Sequence, residues 1–497
     1  MGHKIDDSKG LDTTRIMHGR RVIYSSVPEV TADNVLFVIQ KAMEKHNINS
    51  SECDYLWKYR NGVQPILNRV KKGSYEDICS KICENRASEI IDFKIGYYVG
   101  EPIQYTSKKD DDKSLEEMAM FNNYFYAVNK ASQDQDIVEW QMVAGTAFRI
   151  VLPNENRLIT KEKPFEMFTL DPRFTFVVYS VDMEHRPLCG VQYYTDETDT
   201  QIEHYTCYTP EYIFTITNGI LEKVEKNPLG RIPIIEYPAN NSRIGAFEIV
   251  LPLLDAINEI DSNRLDGIEQ TVQAFIKFIN CEIDAEQFQT FKEMGAIMVK
   301  SVDGGAADVD VVTTNLDQNQ TQTAKDDIYE SVLEICGMPA RTGGASTSDT
   351  GAAVILRDGY ALAESRAKVF ENMFKRSEMQ MIDLARFIVN NTNGVVPIDL
   401  LPWEIETKFT RRNYENITSK AQVLCEMLDN PKIDPIFAYQ SCGLFPDPEA
   451  AYVRSMKYYE DTLAKYDEPK EVNEDEEFIR ASGQINSKIE EGNNTGV

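Results

Sequence analysis

The sequence predicts an α+β protein that is mainly α, and three patterns carry that expectation. Apolar residues recur at threes and fours through the first third of the chain and again from about residue 244 onward, the period of amphipathic helices. Between Gly145 and Pro238 the pattern changes to short runs rich in Thr, Tyr, Phe, Val and Ile. Turn clusters such as Pro153-Asn-Glu-Asn and Thr217-Asn-Gly break these runs. Two helical patterns, at about 244–280 and 351–392, exceed the ordinary globular helix length and are separated by a compact insert and a shorter helix.

Taken in order, residues 1–30 are polar and read as a flexible N-terminal arm. The stretch from Thr31 to about His46, with Val35, Leu36, Val38, Ile39 and Met43, predicts a helix. A second short helix holds Asp54 to Arg60 and stops at the breaker Asn61-Gly62. A longer one is expected from about Tyr75 to Tyr98, with Ile78, Ile82, Ile90, Ile91 and Ile95 on its apolar face. Helices at about 113–131 and 134–145 follow. Strands are expected at 146–152, 165–170, 174–181, 188–195, 202–208, 211–217 and 232–237, and the helices on both sides should complete one α+β body. The long helix at 244–280 carries Ile257, Ile260, Leu265, Ile268, Val272, Phe275, Ile276 and Ile279, and Pro252 starts or kinks it. The insert, 281–320, contains a short helix at 284–294, a strand-like Ala296-Ile-Met-Val-Lys300, a Gly304-Gly305 turn and Val309-Asp-Val-Val312. A helix at 321–337 leads into Gly337–Gly351, nearly free of large apolar groups. After the helix at 351–392 come a strand (404–410), three helices (about 415–428, 434–441 and 447–466) and an acidic, solvated tail from Asp467.

The 497 residues carry 52 Lys and Arg against 80 Asp and Glu, a net charge of −28. That balance argues against tight, extended binding to a nucleic-acid backbone, which needs clustered cations. The nine cysteines form no CxxC pair and the five histidines do not cluster with them, so no zinc set is present and a reducing compartment is implied. Cys79 and Cys83, four apart on an apparently helical stretch, read as buried thiols. The acidic runs Asp110-Asp-Asp112 and Glu474-Asp-Glu-Glu477 read as exposed polar surface rather than a metal site. Gly343-Gly-Ala-Ser-Thr-Ser-Asp-Thr-Gly351 lacks the Gly-Lys-Ser/Thr ending of a phosphate cradle, and no HExxH or GxSxG occurs. No enzyme, cofactor or metal is therefore expected. No apolar run approaches the ~18–20 residues that span a bilayer, and a soluble, intracellular protein is expected.

Four stretches, in order and spacing, resemble the portal proteins of tailed bacteriophages, specifically the siphovirus-type family. They are Tyr55-Leu-Trp-Lys-Tyr-Arg-Asn-Gly with Asn68-Arg69, Asn85 through Ile103, Phe247 through Ser262, and the Gly-rich stretch running into Gly351-Ala-Ala-Val-Ile-Leu-Arg-Asp-Gly-Tyr. Together they cover about residues 50–395. The chain departs from the family at Thr350-Gly351, where members often have Ser-Gly.

The resemblance implies a portal fold of wing, stem, clip and crown, assembled as a cyclic ring. Its parts would be an arm (1–30), wing (31–243), stem helix (244–280), clip (281–320), second stem helix (321–337), tunnel loop (338–351), long wing helix and strand (352–410), crown helices (411–466) and tail (467–497). It implies a ring of twelve copies in the virion that passes double-stranded DNA. The ring would dock terminase, scaffold and major capsid protein, and a head–tail adaptor, with no membrane involved. Its place would be the capsid portal vertex, and the host cytoplasm during assembly. Arg341, Thr342, Gly343, Gly344, Ser346, Thr347 and Ser348 would face DNA in the tunnel loop, and Lys277 would face it from the stem helix. Two long helices joined by a small insert cannot bury all their apolar faces against each other, so packing against neighbouring copies would close a ring. An intramolecular hairpin docked on its own domain is the alternative arrangement, and a metal-dependent phage nuclease or another ring-forming head–tail connector are the alternative functions.

Overall fold

The computed structural model describes residues 19–70, 78–109, 111–155, 161–196, 202–272, 275–279, 281–282, 300–301, 308–312, 318–339, 360–411, 417–442, 444–445 and 448–467. The chain divides into two units, Met1–Arg412 and Asn413–Val497.

In the first unit the central β region builds two sheets. Six strands lie in the order β1-β5-β6-β7-β8-β9: β1 Ile23–Ser25, β5 Thr175–Ser180, β6 Pro187–Thr195, β7 Glu203–Tyr208, β8 Tyr212–Thr217 and β9 Ile220–Lys226. Only β1 pairs in parallel, with β5. Three more strands, β10 (Ile234–Pro238), β3 (Thr146–Pro153) and β4 (Phe165–Leu170), form the second sheet. Phe148, Ile150, Leu170, Val177 and Ile234 form a small core shared by the two sheets. All seven expected strands are present within a few residues. The eighth, β9, was missed because all but one of its seven residues are exposed, leaving no apolar alternation to see. The turn before it was visible: Asn218 and Gly219 both adopt positive φ (49° and 76°), the two-residue hairpin for which Asn-Gly is suited.

One helix, α1 (Val35–Arg60), replaces the two expected between Thr31 and Arg60. The intervening Asn47-Ile-Asn-Ser-Ser is polar and poorly helix-forming, but tertiary partners compensate. The Asn49 amide accepts from the Arg21 backbone N–H at 2.9 Å and donates to its carbonyl at 2.8 Å, imitating a strand neighbour. Val35, Val38, Ile39 and Ala42 of α1 pack on Phe176, Val178, Cys189, Val191, Cys207, Phe214 and Ile216 of the six-stranded sheet.

The other helices of this unit are α2 (Arg86–Val99), α3 (Asp112–Ala127), α4 (Lys130–Ala144), α5 (Leu251–Val272), α6 (Gln318–Cys336) and α7 (Tyr360–Asn391). Parts of α1 to α7 share one large core with β3, β4 and β10, so helices before and after the β region do complete one body. Asp111 caps α3, accepting from the Ser114 N–H at 3.0 Å, which gives this acidic residue a structural task. A short ladder joins β2 (Gln104–Ser107) to β15 (Ile405–Lys408).

Two expectations need correction here. The arm read as 1–30 is held from Gly19 onward. Arg20 is buried and bonds Glu248 at 2.5 Å and Glu52 at 3.1 Å, and β1 follows at once. The helix expected from about 75 begins only at Arg86, so Cys79 and Cys83 stand on non-helical chain.

Among the described residues the second unit contains three helices, α8 (Ile417–Leu428), α9 (Pro435–Cys442) and α10 (Pro448–Asp467), matching the sequence reading closely. Tyr439 stacks on Phe445 at 5.3 Å and meets Tyr452 edge-on at 5.7 Å.

His46 gives this fold a defined acid response. It is buried between Phe176 (4.5 Å) and Tyr193 (5.5 Å), with Nε2 3.1 Å from the Arg173 carbonyl. Burial pushes its pKa down from 6.5 to about 4. The unfolded chain therefore takes up a proton that the native protein refuses. His46 should have no effect above pH 6.5 and should remove stability as pH falls from 6.5 to 4, on the order of 3 kcal/mol in total. Urea unfolding at pH 7 and pH 4.5 should show a loss that His46→Phe reduces.

Candidate functional site

The two central helices run antiparallel. Asp261 of α5 pairs with Lys325 of α6 at 2.8 Å, and Arg264 with Gln322 at 2.6 Å, so numbers rise along one helix as they fall along the other. Pro252 sits in the first turn of α5, where its missing N–H is harmless, and starts the helix rather than kinking it. Beyond α5 the chain does not stay helical to residue 280. It becomes β11 (Phe275–Ile279), which pairs antiparallel with β14 (Asp308–Val312). A two-residue pair, β12 (Cys281–Glu282) with β13 (Lys300–Ser301), lies between them in sequence. Val272, Phe275, Ile276 and Ile279 satisfy helical spacing, but a short run of Phe and Ile suits a strand equally well when a partner is supplied. Lys277 therefore stands on a strand, in register opposite Asp310, and not on a helix.

Three of the four family-like stretches meet along α5 between Asp255 and Asp266. Asn258, Ser262 and Asp266 lie four apart on one face and are buried. Their side chains accept from the backbone N–H groups of Glu84 (2.8 Å), Ile82 (3.0 Å) and Ser80 (2.7 Å). Segment 78–85 is thus extended chain laid along a helix, its alternate amides satisfied by a polar ladder instead of a sheet. Asn258 also donates to Gln64 at 2.6 Å. Gln64 donates to Asn85 at 3.0 Å, and Asn85 accepts from the Ser88 N–H at the start of α2. The Tyr59 hydroxyl donates to Asp255 at 2.9 Å, which raises the Tyr59 pKa through burial and the adjacent carboxylate. Arg69 reaches Asp266 at 3.0 Å. Glycine allows the approach of α5 from the other side. At Gly145 (φ 76°) a Cβ would strike the Arg243 carbonyl, and at Gly245 the Val143 carbonyl, so residues 142–145 and 243–245 meet backbone to backbone.

Deeper in the core lies a closed group of four charges. Lys130 and Asp134 of α4, Arg149 of β3 and Glu378 of α7 are all buried. Lys130 bonds Asp134 (2.7 Å) and Glu378 (2.7 Å); Arg149 bonds Asp134 (2.6 Å) and lies 3.5 Å from Glu378. The hydroxyls of Tyr105 and Tyr237 donate to the two Glu378 oxygens at 2.6 and 2.9 Å. Burial alone would raise the Glu378 pKa, but Lys130 and Arg149 together hold it below the usual carboxylate range. With two cations against two anions, the group is neutral and each charge has an oppositely charged neighbour, which is the condition for burying charge. It offers no open coordination position. Among the described residues no set of three or more His, Cys, Asp or Glu is placed to hold a metal ion.

Of the residues expected to face DNA, Arg341, Thr342, Gly343, Gly344, Ser346, Thr347 and Ser348 lie outside the described residues, as do most of the insert and the acidic tail. Sequence reasoning missed the buried charges, although each left a signal. Arg149 interrupts the apolar run Ala147-Phe-Arg-Ile-Val, and Glu378 falls at a core position between Phe374 and Met381.

The helices α5 and α6 thus form an antiparallel pair, and in sequence the β11–β14 ribbon lies between them. The chain belongs to the family "Phage portal protein, SPP1 Gp6-like", which it matches over residues 41–453, more than four-fifths of its length. It is similar to the portal protein of Bacillus phage SPP1, with 21% identity over 488 residues covering 87% of this chain and 88% of that one. It is accordingly a phage structural protein and not an enzyme. No helix among the described residues is long and apolar enough to cross a membrane.

Removing one member of the buried group should leave an uncompensated charge in the core. Glu378→Ala is expected to lower stability by about 3–5 kcal/mol, read as a shift in the urea midpoint at pH 7. A loss under about 1 kcal/mol would show that water reaches the group.

Proposed function

We propose that this chain is the portal subunit of a tailed phage, forming a ring at one capsid vertex through which double-stranded DNA is packaged and ejected. The observation that carries the reading is the family match across residues 41–453, supported by similarity along nearly the full length of another phage's portal protein. In this reading α5 and α6 are the stem. The ribbon Phe275–Ile279 with Asp308–Val312 leads into the clip, on which terminase and later the head–tail adaptor dock. Helices α8 to α10 form the crown, and scaffold and major capsid protein contact the ring during assembly. Residues 338–351 are the tunnel loop, with Arg341, Thr342, Gly343, Gly344, Ser346, Thr347 and Ser348 toward DNA.

Electrostatics suit a conduit rather than a clamp. Each phosphate neutralised by a cation adds salt-sensitive affinity, so a channel lined with Lys and Arg would hold DNA instead of letting it slide. A subunit of charge −28 repels DNA overall, and a few basic positions are enough to centre it. Arg341 is the leading such position. Lys277 is the second such position, and it stands on a strand in register opposite Asp310.

The purified protein should assemble into a ring of about 0.7 MDa for twelve copies, visible in two-dimensional image averages. A compact monomer in native mass measurements would overturn the assignment. Arg341→Glu should reduce the DNA content of heads built with it, and unchanged content across several salt concentrations would remove Arg341 from the channel.

A further inference from the structure

The C-terminal end of α6 is closed more completely than an ordinary helix end. A helix leaves its last four carbonyls without internal partners. Here all four are satisfied. Gly337 (φ 67°) turns the chain, so that the Met338 N–H reaches the Leu333 carbonyl at 2.8 Å and the Gly337 N–H reaches that of Glu334 at 3.0 Å. The remaining two take side-chain cations from other elements. Arg366 of α7 donates to the Ile335 carbonyl at 2.7 Å, and Lys94 of α2 donates to that of Cys336 at 2.8 Å. A Cβ at position 337 would collide with the Arg366 side chain, so glycine serves both the turn and the crossing.

Lys94 is an unusual choice for this place. Its side chain is buried, its ammonium lies 5.6 Å from the Tyr98 ring, and burial pushes its pKa down to about 8. An apolar residue would fill the space without that desolvation, so the amine is explained by direction rather than packing. A cation at the negative end of a helix is well placed for that purpose.

One turn further along the same face of α2, Tyr97 holds the start of α7. Its hydroxyl donates to Glu364 at 3.0 Å and its ring lies 6.4 Å from that of Tyr360. Arg411 completes this second anchor, pairing with Glu364 at 2.6 Å and with Glu371 while its guanidinium lies 5.6 Å from the Tyr97 ring.

We infer that Lys94 and Tyr97 are positioning residues of the DNA conduit, mooring to α2 the two chain ends from which segment 340–359 departs. This rests on the reading of 338–351 as the DNA-facing loop. The described chain on both sides of segment 340–359 is held by α2, and Arg366 of α7 bonds directly to the end of α6. Force exerted on the loop by moving DNA passes into the subunit body through Lys94, Tyr97 and Arg366.

The test uses the full-length assembled protein and two readouts. In Lys94→Met, hydrogen exchange at the Gly337 and Met338 amides should quicken about tenfold while exchange in the β sheets is unchanged, and Lys94→Arg should restore slow exchange. Tyr97→Phe, which deletes only a hydroxyl, should quicken exchange in the first turns of α7 and leave 337–338 alone. Heads built with Lys94→Met should hold several-fold less DNA than wild type. Unchanged exchange in Lys94→Met overturns the mooring. Quickened exchange with normal DNA content, in a system where Arg341→Glu lowers it, overturns its part in the conduit. If Arg341→Glu also packages normally, the DNA-facing reading of the loop fails instead, and the exchange results still decide what Lys94 and Tyr97 hold.

Discussion

The group formed by Lys130, Asp134, Arg149 and Glu378 constrains the whole first unit. Moving a charged side chain out of water costs several kcal/mol, and only a closely bonded partner offsets it, so four such groups in one place tolerate little displacement. With Tyr105 and Tyr237 they tie together α4, β3, α7, β2 and β10. Apolar packing alone would let α7 slide or rotate against the three-stranded sheet at modest cost. Glu378 allows one rotation, and the neighbouring Ser377 hydroxyl, donating to the Glu236 carbonyl at 2.7 Å, sets the same one. The position of the Tyr360 end of α7 follows from that.

A second set of polar contacts aims α5. The N-terminal segment reaches its entry through Arg20 and Glu248, while backbone packing at Gly145 and Gly245 fixes how closely the chain approaches. The face bearing Asn258, Ser262 and Asp266 is then occupied by segment 78–85. Of these residues, Glu248, Asn258, Ser262 and Asn85 belong to the stretches that carry the family resemblance. Their shared property is geometric: they determine where the helix points.

Elements with one unambiguous period were legible in the sequence. The strands from Thr146 to Thr217 alternate or run apolar between turn signals, and the three C-terminal helices are separated by Asn430-Pro431 and Pro446. Misreadings occurred where local spacing fitted two structures and a distant partner decided. Ile78 and Ile82 have helical spacing, but ladder residues about 180 positions away draw that segment out as extended chain. Phe275 to Ile279 likewise became a strand because Asp308–Val312 pairs with it. The buried charges were the least legible feature of all. A lone Arg or Glu in an apolar pattern announces a partner without identifying it, and the four residues come from three separate stretches of chain.

The contact between α5 and segment 78–85 behaves like a vernier, two rulers with slightly different divisions. Four residues of α-helix advance about 6.0 Å, and two residues of extended chain advance about 6.6 Å. The divisions coincide best over a short span and separate by about 0.6 Å with every further step. Three rungs fit within hydrogen-bonding tolerance, and the observed bonds of 2.7, 3.0 and 2.8 Å occupy that span. The next division past Asn258 falls on Leu254, an apolar residue in the core, and by Arg86 the chain has already become α2. The ladder thus ends where α5 next presents Leu254 instead of a polar side chain and where Asn85 caps α2.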